Sequence, residues 1–132
     1  MYHPKLVQFE ERLKTMFDEI DHYLEDKYGK TYPLHPSRPE RGMTANPQAD
    51  GLFNMGADFT PGFGSDTGRG YLIDVTMATL ETVEETVRRE ILEETARKVS
   101  ELLPLYFPER TLRVVQDGNH FKIQGDFGLG TL

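Results

Sequence analysis

The chain has 132 residues, of which 37% are hydrophobic and 28% charged, and it carries a formal net charge of −7. The length predicts one domain over residues 1–132, and the acidic balance disfavours contact with a polyphosphate backbone, so nucleic acid is not an expected partner. There is no cysteine, which excludes disulfides and thiol chemistry, and no apolar run reaches the length of a membrane span, so no membrane partner is expected.

The first residues, Met1-Tyr2-His3-Pro4-Lys5, hold no apolar signal core, which predicts a cytoplasmic protein. Pro4 suits a first helical turn, and Leu6, Phe9, Leu13, Met16, Phe17, Ile20 and Leu24 then recur at three and four residues. The spacing predicts a helix over Pro4 to Tyr28, stopped at Gly29. Glu10, Lys14, Asp18, Asp21 and Glu25 are assigned to its remaining faces.

Residues 29–48 form a different kind of segment. Pro33, Pro36, Pro39 and Pro47 forbid a continuous helix or a central strand. An extended arm is expected, lying over the surface, reaching a neighbouring subunit or staying disordered, with Tyr32 and Leu34 as its anchors.

Leu52 to Phe59 reads as a short strand in which Phe53, Met55, Ala57 and Phe59 share one parity. A glycine-rich loop follows over residues 60–70, with Gly62, Gly64, Gly68 and Gly70 inside nine positions. Tyr71 to Met77 reads as the next strand. Tyr71, Ile73, Val75 and Met77 face a core, and Asp74 and Thr76 face the other way.

A second helix is expected over Leu80 to Leu105. Its N-cap is Thr79, with a competing capping box at Thr82 and Glu85. The pairs Glu84–Arg88, Glu85–Arg89, Glu93–Arg97 and Glu94–Lys98 stand at helical i,i+4 spacing, and Pro104 and Pro108 bracket the end. Thr111–Gln116 and His120–Gln124 then make a hairpin around Asp117-Gly118-Asn119. Either two-residue turn places Leu112, Val114, Phe121 and Ile123 on one face. His120, Lys122 and Gln124 face the other way, beside Asp74 and Thr76.

The order of elements predicts an α+β fold: two long amphipathic helices packed on one face of a small mixed three- or four-stranded sheet, with a long Pro/Gly-rich connection. The step from strand to helix to strand across Leu80–Leu105 is expected as a right-handed parallel crossover.

The loop carries the only suggestive chemistry. Successive N–H groups between glycines can form an anion-binding nest, with donors from Ser65, Thr67 and Arg69. Asp58, Asp66 and Asp74 are the acid–base candidates beside it. The Gly-Lys-Ser/Thr pattern of phosphate loops is missing, the segment opens a strand where a phosphate loop opens a helix, and the serine stands one place off a nucleophile elbow. The carboxylates and histidines, His35 and His120 included, show no metal-ligand spacing, so neither a metal nor a cofactor is expected. The leading expectation is a non-enzymatic binding or assembly module that forms a homodimer. The alternative is a small-molecule or anion-binding protein or an enzyme built on the loop, and the sequence does not decide whether the chain is an enzyme.

Overall fold

The computed structural model describes residues 4–62 and 68–125. Ser65, Asp66 and Thr67, at the centre of the suspected nest, lie outside the described residues, as does the tail from residue 126. The fold is α+β, with two helices and a four-stranded antiparallel sheet. Helix α1 spans Pro4–Tyr28, strand β1 Phe53–Thr60 and strand β2 Gly70–Met77. Helix α2 spans Glu85–Tyr106, and strands β3 (Leu112–Asp117) and β4 (His120–Gly125) close the order.

The strands lie in the order β1-β2-β4-β3. Every pair is antiparallel, so the expected mixed sheet is corrected. The reason is local. Asp117 pairs with His120 across a two-residue turn whose first residue, Gly118, holds φ +62°. β4 thus returns beside β3 and takes the place next to β2 that a parallel crossover would have given to β3.

Both helices pack on one face of the sheet. Phe9, Met16, Ile20 and Leu24 of α1 and Ile91, Val99 and Leu103 of α2 meet Phe53, Met55, Tyr71, Ile73 and Ile123 in one buried cluster. Period-two alternation thus delivers the inner face, as the strand sequences indicated. Phe107 folds back after α2 and lies against Phe9 with 4.9 Å between ring centres.

Several details differ from expectation. α2 begins at Glu85, not Leu80, and Glu84 at its N-cap makes no side-chain capping bond. Thr79 instead accepts the Glu81 N–H, which holds the preceding segment as a turn and leaves Leu80 exposed. Pro104 stands inside the last turn of α2, not beyond it. Among the described residues the pairs within α2 are Arg89–Glu93, Arg97–Glu94, Arg97–Glu101 and Lys98–Glu101, not those expected. Asp21 and Glu25, assigned to the solvated faces of α1, are buried.

Candidate functional site

The arm between α1 and β1 is folded onto its own chain, and one arginine organises it. Arg38 donates through Nε to the Gly51 carbonyl at 3.0 Å. Its Nη2 reaches the carbonyls of Gln48 (2.8 Å), Asp50 (3.1 Å) and Phe53 (3.0 Å). A planar fork that satisfies four carbonyls holds a prolyl segment that has no ladder of its own. Asp50 is buried and accepts from the N–H and the hydroxyl of Thr44. Burial raises its pKa, but those bonds, with help from Gly42 and Arg38, outweigh it and hold the carboxyl below its ordinary range.

Beside this hub sits Asp21, whose Oδ2 has no hydrogen-bond partner among the described residues. Its pKa is pushed up to about 8, first by burial and then by Glu25, Asp50 and Asp18, against the pull of Arg38. Glu25 is spent on β1: its Oε1 accepts the Phe53 N–H at 2.8 Å. Gln48 does the same one step further on, accepting the Met55 N–H at 2.7 Å.

These bonds reveal how β1 is oriented. Phe53 and Met55 turn their N–H groups away from β2, toward the outer edge of the sheet. The register runs without a slip from Phe53↔Met77 to Thr60↔Gly70. Alternation therefore turns Ala57 and Phe59 the same way. Their N–H groups meet no partner among the described residues. The edge of β1 is thus capped over its first half and open over its second. A groove of about 520 Å³ runs along it, with Leu13 and Phe17 of α1 on one wall. Phe59 stands at its end, 50% exposed.

A second open edge lies inside the sheet. β2 pairs with β4 only at Tyr71↔Ile123 and Leu72↔Lys122, although β4 runs back to His120, and the hairpin turns at residues 118–119. Asp74 and Thr76 are the β2 residues that exchange bonds with β1, so Val75 and Met77 turn their N–H groups toward the missing strand. Those two groups have no partner among the described residues. The space beyond them is a groove of about 890 Å³, floored by Arg88, Arg89 and Leu92 of α2 and closed at one end by Asn119 and His120. Arg89 braces that end by donating to the Asn119 carbonyl at 3.2 Å and lying over the Phe121 ring.

The loop residues singled out in the sequence are partly brought together. Asp58 and Asp74 are exposed and line one groove beside β1. Arg69 is exposed, lies outside that groove, and offers its carbonyl to Gln124 Nε2 at 3.2 Å. The ends of the loop meet: a side chain at Gly62 (φ +84°) would run into the Gly68 carbonyl. Lys122 fastens this neck. It is 1% exposed, because it lies flat over Gly70, which has no side chain to obstruct it. Its ammonium donates to the Gly68 carbonyl at 2.5 Å and pairs with Asp117 at 3.1 Å. Among the described residues no group of three or more His, Asp or Glu is arranged to hold a metal ion. None of their helices is long and apolar enough to cross a membrane.

Sequence reasoning missed Arg38, Gln48 and the edge they cap. One signal was available: Asp21 and Glu25 continue the i,i+4 row of Phe17, so they fall inside the apolar stripe.

A family model described as "Uncharacterised protein" matches residues 4–125. A relative from Borreliella burgdorferi, described as "Uncharacterized protein", is 40% identical over 123 residues, which is 93% of this chain and 96% of the relative. No solved structure matches.

Proposed function

We propose that this chain, which belongs to the family described as "Uncharacterised protein" whose model spans its residues 4–125, is a non-enzymatic binding or assembly module that works by strand addition. One observation carries this reading: β2 is a central strand with one side left open past Leu72, facing a groove of about 890 Å³. An extended segment laid there gains backbone bonds from Val75 and Met77, as in other cases of an added strand. Alternation sets what suits it. Ile73, Val75 and Met77 point toward α2, while Asp74 and Thr76 point to the open face. The fitting partner is a segment of alternating apolar and polar residues.

The test is selection of extended peptides from a displayed library on the wild-type chain, followed by titration against Val75→Pro. Proline removes only the N–H that points away from β1, so the β1–β2 ladder is kept. Selected peptides should shift the amide signals of residues 73–77 and 119–120, and should bind Val75→Pro roughly two- to tenfold more weakly, as loss of one strand-addition bond implies. Absence of any enriched peptide, or equal binding to the variant, sinks this reading.

A second reading keeps the glycine loop as a small-ligand or anion site with Ser65, Thr67, Arg69, Asp58, Asp66 and Asp74. It draws support from Asp58 and Asp74 sharing a groove wall. A thermal-shift screen with phosphate, nucleotides and common metabolites decides it: a rise in melting temperature that vanishes in Arg69→Ala favours the loop, and no rise rejects it.

A further inference from the structure

The outer edge of β1 carries an inference independent of the β2 groove. We propose that this edge pairs with the same edge of a second copy about a two-fold axis at Ala57, joining two sheets into one of eight strands. Among the described residues the open N–H groups are those of Ala57 and Phe59, and strand edges left unpaired are templates for another strand. This half of β1 has no proline and no lysine, and its side chain on the helix face, Phe59, is half exposed.

The occupant is a second copy because one two-fold register of this edge complements itself. A two-fold axis at Asp58 sets that carboxylate against its own copy, and like charges directly opposite oppose pairing. An axis at Ala57 sets Asp58 opposite Gly56 of the second copy, where no side chain stands. Phe59 then falls opposite Met55, which is 5% exposed in one chain, and reaches the groove beside Leu13 and Phe17. Ala57 bonds its own copy in both directions, and the Phe59 N–H finds the Met55 carbonyl once the Gln48 side chain, which holds the Met55 N–H at 2.7 Å, swings aside. The walls agree with the strands. Glu10 and Lys14 stand one turn apart on the α1 side of this groove, held within the chain by the Tyr71 hydroxyl and by Asp18, and a two-fold axis presents the same two charges of the other chain in reverse order. Such complementarity fixes register more than affinity.

The chain has no cysteine, so a single introduced thiol reports the axis. In a hydrogen-bonded antiparallel pair the Cα atoms stand about 5.5 Å apart, within disulfide reach. Under mild oxidation Ala57→Cys should cross-link to itself, whereas Asp58→Cys, which faces Gly56, should remain monomeric under denaturing electrophoresis. Sedimentation of the full chain from micromolar to millimolar concentration should give a species of twice 15.1 kDa. Phe59→Lys and Ala57→Pro should each return it to one chain. Either variant suffices if the other unfolds, and circular dichroism checks that. Gln48→Ala, which frees the Met55 N–H, should tighten the dimer. A wild-type chain that stays monomeric throughout overturns the proposal, as does a dimer that Phe59→Lys leaves intact, or preferential cross-linking of Asp58→Cys. None of these outcomes bears on peptide capture at β2, which is read on a different strand.

Discussion

Asp21 is a carboxyl kept protonated by its surroundings, and that makes a pH dependence. The folded chain holds this proton up to about pH 8, whereas an unfolded chain releases it near the ordinary value of 3.8. Across that window the folded state binds more protons, so stability falls as pH rises, with the loss absent below the lower value and complete above the upper one. The groups facing Asp21 are Glu25 and Asp18 on its own helix and Asp50 and Arg38 on the arm. Asp21→Asn removes the titration while keeping the shape. Its melting temperature should gain on the wild type from about pH 5 to about pH 8, with a slope no steeper than ~1.4 kcal/mol per pH unit. A gap that stays constant with pH would count against a protonated Asp21. The residue was half legible: its place in the Phe17 row put it on the buried stripe, but its neighbour Asp50 lies 29 positions away and no local pattern brings the two together.

At the scale of elements, periodicity did most of the work. Both helices and all four strands were legible because each has one face on a shared core, and burial selects the same residues that the 3.6 and two-residue periods select. What escaped was set by partners distant in sequence. The start of α2 moved because a threonine turn competes with a cap, and the arm's path depends on Arg38 finding carbonyls up to fifteen positions ahead. Half of the candidate site was in the same position, since an open edge is defined by which strands fail to reach it. Two glycines show how context decides cost. At Gly70 a methyl group would stand 2.5 Å from the Ile123 carbonyl oxygen and 2.6 Å from the Lys122 side chain, and at Gly56 it would meet nothing within 4 Å. Gly70→Ala should therefore destabilise by about 1–3 kcal/mol by forcing β2 off β4. Gly56→Ala should be neutral or stabilise by up to ~1 kcal/mol. Urea denaturation of the two variants checks both, and a Gly70→Ala midpoint equal to that of the wild type would contradict the close approach.

For the whole molecule, charge and shape pull against each other. Each copy carries a formal charge of −7, so two copies repel before their edges meet. Salt screens that repulsion over roughly 10 Å at 0.1 M. The two-fold pairing at β1 should then tighten as salt is raised from about 0.05 M to about 0.3 M, by severalfold in the dissociation constant. Sedimentation at the two salt levels measures this. Weakening with salt would mean that the Glu10 and Lys14 pairs, not the apolar edge, hold the copies together. The two proposed sites lie on different strands, so a dimer through β1 would leave both β2 grooves unused on the same continuous sheet.

The neck at Gly62 and Gly68 has a practical consequence for the chain's tolerance of change. Its two sides already touch, and Lys122 anchors one of them to the sheet. The distance that an inserted passage must bridge is therefore close to zero, and the entropic cost of lengthening such a closed passage grows only with the logarithm of its size. Foreign peptides grafted between these glycines would leave the register of β1 and β2 undisturbed, which makes this point a natural place to display an epitope or a reporter.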